Sequence, residues 1–242
     1  MREELNFSEL LKLASFSKIE EKILCNLNNR IDKSLKYKID ENIESAKFNY
    51  VKNEITIKTI NDYSSLIHEL LHAELIIFHK FPTIKDINEI LTKYKQPRLK
   101  KLIATLTNDI HHFIFNDKFQ KATKHRENSY LVSNQKSLLE SNLSYIHLEK
   151  GYNQQGIYLN KVLFYYESIF IINRYKILLM KNIIFCEKLI KLDNNLYEIF
   201  NNFFNSILVL SKKPNVEIYK STIINIYTNL IVKIKNNQNN FQ

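Results

Sequence analysis

The chain has 242 residues, 45% of them hydrophobic and 25% charged, which is enough apolar material for a substantial core and excludes a disordered or fibrous chain. Only two glycines and three prolines occur, so glycine-rich phosphate loops and barrels built from many hairpins lack their raw material, and a helix-rich fold is the default. The net charge of +10 divides as 24 basic against 20 acidic residues over 1–150 and 11 against 5 over the rest. That spread suits an anionic partner, but the heavy use of Lys, Asn and Ile also follows from an AT-rich coding sequence.

Met1 to Glu4 carries two acids and leads into an amphipathic stretch, without the basic-then-apolar pattern of a secretory signal. Val162 to Met180 is apolar but interrupted by Glu167, Asn173, Arg174 and Lys176, so a cytoplasmic chain without a membrane span is expected. Residues 7–28 place Phe7, Leu10, Leu11, Leu13, Ile19, Ile23, Leu24 and Leu27 at helical spacing, predicting one or two helices. Leu35, Tyr37 and Ile39 then alternate with lysines, and apolar residues from Phe48 to Ile60 surround the turn-like Lys52-Asn53-Glu54, predicting two or three short strands. Asp62 or Ser64 caps a helix running to about His79, before Pro82. Further helices are predicted near 86–95, 98–116, 136–149, 158–181, 184–210 and 216–236, with the clearest breaker cluster at Gly151 to Gly156. The expected fold is α+β and predominantly helical: a core over 1–130 with a small sheet, then a helical region over 131–242 packed on it. Cys25 and Cys186 lie in apolar helical surroundings with no CxxC spacing, which reads as packing residues in a reducing compartment.

The stretch Leu66-Ile67-His68-Glu69-Leu70-Leu71-His72-Ala73 contains HExxH. On a helix, His68 and His72 project from one face and can meet one metal ion at about 2.0–2.1 Å. Glu69, about 100° around from His68, stands where it can take a proton from an attacking water. The flanking Leu66, Ile67, Leu70, Ala73, Ile77 and Phe78 make the helix a buried one, which has no reason to carry two histidines and a glutamate unless they are satisfied there.

With strand-like residues upstream, this region resembles the zincin metallopeptidases over roughly residues 35–116, the HELLHA string being the most specific part. The resemblance implies a zincin-like core, a short sheet beside the HExxH helix, zinc as cofactor, and a third ligand from a later helix or turn. His79 follows His68 by 11 residues, but an unbroken helix sets it about 16 Å further along the axis, and no glycine turns the chain before it. The helix from Leu102 to Asn116 is the better supplier. Its apolar face carries Leu102, Ile103, Leu106, Ile110, Phe113 and Ile114, opposite a stripe of Thr105, Asn108, His112 and Asn116. A helix antiparallel to the first would bring His112 to the pair, with Asn108 placed to orient it or to hold a neighbouring loop; His111, Asp109 and Glu74 or a later acid are the alternatives.

The expected activity is that of a zinc-dependent metallohydrolase, a cytosolic peptidase with metal ligands His68, His72 and His112 and with Glu69 as general base, acting on a peptide or protein substrate. Tyr130, Tyr152 and His147 are available as oxyanion donors, with nothing to choose among them. One alternative resembles the Spartan-type proteases that act on DNA-bound proteins. It draws on the net charge and on two basic clusters, Lys93, Lys95, Arg98, Lys100 and Lys101, then Lys118, Lys121, Lys124, His125 and Arg126, although no nucleic-acid-binding motif accompanies them. The other is a non-catalytic helical interaction protein, suggested by aromatic helices rich in Phe164, Tyr165, Tyr166, Phe170, Phe200, Phe203 and Phe204, whose spacing makes them core first.

Overall fold

The structure, a computed structural model, describes residues 4–31, 34–123, 161–170, 179–211 and 216–239. The described residues are mostly helical with one four-stranded mixed sheet, an α+β arrangement as the sequence predicts. Two compact units are distinguished: Met1–Phe81 with Ile114–Arg126, and Pro82–Phe113 with Glu127–Gln242.

In the first unit, strand β1 (Glu4–Leu5) precedes helices α1 (Phe7–Leu13) and α2 (Lys18–Asn28). Both helices begin with a capping box, Asn6 with Glu9 and Ser17 with Glu20, which satisfies amides that the first turn leaves open. Strands β2 (Lys36–Ile39), β3 (Lys47–Asn49) and β4 (Glu54–Ile57) complete a sheet of order β1-β2-β4-β3, in which β2 and β4 are parallel and the two edges antiparallel to their neighbours. β1 escapes sequence reading because two residues show no alternation; it is identified only by its pairing of Leu5 with Tyr37. The turn before β4 sets Asn53 at φ 53°, where its carbonyl accepts from the Lys36 amide and its side chain donates to Ser34. Central β4 is buried along its whole length and, with β3, supports helix α3 (Tyr63–Ala73), which starts at the Asp62 cap. The helical run does not stay α to His79. Residues Glu74–Phe78 form a π turn, closed by the His79 amide on the Glu74 carbonyl.

The second unit contains α4 (Ile84–Lys93), a 3₁₀ turn at Pro97–Leu99, the first part of α5 (Lys100–Thr123), α6 (residues 161–170), α7 (Leu179–Ser211) and α8 (Val216–Asn239). α5 outruns the predicted end at 116 by seven residues, and Ile114 onward belongs to the first unit. The predicted helix at 136–149 and the breaker cluster at 151–156 lie outside the described residues. Tyr165, Tyr166, Phe200, Phe203, Phe204 and Tyr227 are buried against α7 and α8 partners, so these aromatics are core, and Tyr166 stacks on Phe204 at 6.0 Å. Cys25 and Cys186 are free and only half-buried, less enclosed than their apolar neighbours suggest. No helix among the described residues is long and apolar enough to cross a membrane.

α7 is kinked at Asp193, whose φ of −163° takes its amide out of the helical ladder and leaves the Leu189 carbonyl without its i+4 donor. Tyr165 repairs the break by donating its hydroxyl to that carbonyl at 2.8 Å, while Asp193 caps the next turn at the Leu196 amide and pairs with Lys161. Tyr165→Phe should therefore strand a buried carbonyl and lower stability by about 1–3 kcal/mol in urea melts. Asp86, in the capping box of α4, accepts from Lys220 of α8 at 2.8 Å. Burial alone raises its pKa, but the hydrogen bonds from Lys220 and Thr83 outweigh that and hold the carboxyl below its usual range. A depressed carboxylate contributes stability above its unfolded pKa of about 3.9, and that contribution is lost as the pH falls through the folded value. Asp86→Asn should be less stable than wild type at pH 7, the gap closing as melts are repeated downward from about pH 4.

Candidate metal centre

His68 and His72 lie one turn apart on α3 with ring planes 27° from parallel, and their Nε2 atoms converge to 3.0 Å. Two nitrogens bonded tetrahedrally to one ion at about 2.05 Å stand about 3.3 Å apart, so the pair is close to a ligand geometry as it stands. The opposite arc of α3 explains why the rings are held there. Leu66, Ile67, Leu70, Leu71 and Ala73 are all fully buried, which fixes the rotation of the helix about its axis. Burial lowers the His68 pKa, keeping the imidazole neutral and its lone pair available.

The facing wall comes from α5. Phe115 meets His72 edge-on at 4.9 Å and His68 at 5.6 Å, and Phe119 lies 5.8 Å from His68. Tyr63, at the start of α3, donates to the Ala122 carbonyl near the end of α5, so the two helices run antiparallel here as the sequence predicts. His112 stands three residues before Phe115 and seven before Phe119, on the same face of α5. The ligating nitrogens of His68, His72 and His112 lie within 4.8 Å of one another, and none of the three residues is exposed. Three nitrogens sharing one tetrahedral ion stand about 3.3 Å apart, so the side chains would have to close by up to about 1.5 Å to seat all three. Among the described residues the donor set is three imidazoles, which fits a divalent transition metal.

The other candidates have different partners. His111, next to His112, is buried; burial first and then His112 push its pKa down to about 3. Asp109 accepts the Tyr166 hydroxyl. Glu74 pairs with Arg30 and Lys118, and His79 caps the π turn beside those three charges. The polar stripe expected on α5 divides: Thr105 and Asn108 are exposed to solvent, whereas His112 is half-buried. Of the tyrosines and histidine offered as oxyanion donors, Tyr130, Tyr152 and His147 lie outside the described residues, as do Lys124, His125 and Arg126.

Glu69 is buried, with its carboxylate accepting from the Phe48 amide of edge strand β3. Burial raises its pKa to about 7, the amide partly opposing this. Sequence reading missed Phe48 because a backbone donor leaves no composition signal. It also missed the aromatic wall, although Phe115 and Phe119 repeat His112 at i+3 and i+7 and this spacing was there to be used.

Purified protein supplied with zinc should hold about one ion per chain by plasma mass spectrometry, and His72→Ala and His112→Ala should each lose it. Loss in His72→Ala alone would remove His112 from the ligand set. No protein-family model, no curated protein and no solved structure matches this chain, so its function is argued from the site's own geometry.

Proposed function

We propose that the chain is a zinc-dependent metallohydrolase of the zincin kind, cleaving amide bonds in peptides or proteins. The reading is carried by one observation: three shielded imidazole nitrogens cluster beside a buried glutamate that precedes one of them on α3. His68, His72 and His112 would hold the ion, and Phe115 and Phe119 would exclude water from two of the rings. Zinc bound there would supply Lewis acidity toward a carbonyl and its attacking water. Glu69 is the general base in this reading. Its carboxylate takes a proton as the water oxygen bonds to the carbonyl carbon, and returns it to the nitrogen as the C–N bond breaks, leaving a carboxylate and an amine.

The peptide class is supported by the sheet. β3 is an edge strand, and the Phe48 amide is given to Glu69 rather than to the ladder with β4. An edge strand can pair with an extended chain through whatever outward backbone groups remain open. A second reading, action on proteins bound to DNA, is favoured by Lys93, Lys95, Arg98, Lys100 and Lys101, all exposed with no acid among them.

Glu69→Gln should keep its zinc while hydrolysis of a random peptide library falls by a factor of at least about 100. Zinc retained with no cleavage by wild type would leave the helices as a metal-stabilised binding module. DNA affinity that falls steeply with salt would turn the proposal toward the second reading.

A further inference from the structure

Among the described residues of the first unit, Glu74 is the most enclosed carboxyl side chain that the proposed chemistry does not use. Its side chain is 4% exposed, and it takes Arg30, just after α2, on Oε1 at 3.3 Å and Lys118, from α5, on Oε2. Burying a lone carboxylate is costly, whereas one held by two cations at separate oxygens is a fixed point between the elements that carry them. The π turn makes this junction: Glu74 is its first residue, and the turn ends with His79 beside the same three charges. Of the two cations, Lys118 matters for the metal site. It stands on α5 six residues after His112, beside the Phe119 that packs on His68.

Beside the ring contacts, the pair with a buried carboxylate adds an attachment point at one height along α5, and breaking it leaves that carboxylate a partner short. A slip of one residue along α5 would carry His112 about 1.5 Å, against a tolerance of about 0.2 Å in metal–ligand distances. We infer that Glu74 is a positioning residue for the metal centre, its pair with Lys118 setting the register of α5 so that His112 reaches His68 and His72. The inference rests on the metal reading of those three histidines. Arg30 shares the carboxylate and remains its partner when Lys118 is replaced.

The test is a titration of the full chain with Co2+, followed by visible absorption, for wild type, Glu74→Gln, Lys118→Met, the double variant and Lys118→Arg, each melted without metal to compare stability. Glu74→Gln and Lys118→Met should each weaken Co2+ binding by about 10- to 100-fold and shift the spectrum to that of His112→Ala. The double variant should be no weaker than either single one, and Lys118→Arg should bind as wild type does. Should Glu74→Gln fail to fold, Lys118→Met, which alters the partner that is 42% exposed, decides alone. Wild-type affinity and spectrum in Lys118→Met, with only a lowered melting temperature, would overturn the inference and leave the metal reading intact. Absence of a Co2+ spectrum in wild type would overturn both.

Discussion

His68 and His72 share one face of α3, and a third nitrogen can join them only if a second helix is laid along that face at fixed rotation and fixed height. Much of the first unit meets this requirement. The buried arc from Leu66 to Ala73 fixes the rotation of α3 over β3 and β4. Phe115, Phe119 and the bond from Tyr63 to Ala122 align α5 against it. Apolar contact sets the distance between helices while leaving them free to slide, so the polar contacts at the ends have an influence out of proportion to their number.

The same division of labour appears in the second unit. Its aromatic core is broad and forgiving, formed by Tyr166, Phe200, Phe203, Phe204 and Tyr227, whereas single polar contacts hold the irregular places. At the kink of α7 the Leu189 carbonyl and Asp193 have lost helical regularity, and the Tyr165 hydroxyl and Lys161 of α6 respectively satisfy them. A kink supported in this way is a fixed bend and not a weak point.

What the sequence made legible follows from the range of the interactions. Asp62 as cap, the turn at Asn53, and the pairing of His68 with His72 depend on residues within one turn of helix or one hairpin, and all are readable from spacing. His112 was reachable because helical periodicity extends over a whole helix and its face could be ranked. The rest depended on contacts between distant segments. A two-residue strand such as β1 exists only through its pairing with Tyr37, and the π turn inserts a residue into a stretch whose sequence reads as ordinary helix. The role of Glu74 had the same origin: it ranked as a spare ligand because Arg30 and Lys118, each 44 residues away, carry no local mark of their attachment to it.

The separation of 40 positions from His72 to His112 also has a consequence for synthesis. A growing chain that has emerged only through α4 displays two imidazoles aimed at a common point and nothing to complete them. In that interval a metal ion would find a two-coordinate, readily exchanging foothold. On the proposed metal reading, closure would wait for the translation of α5, the helix that carries His112.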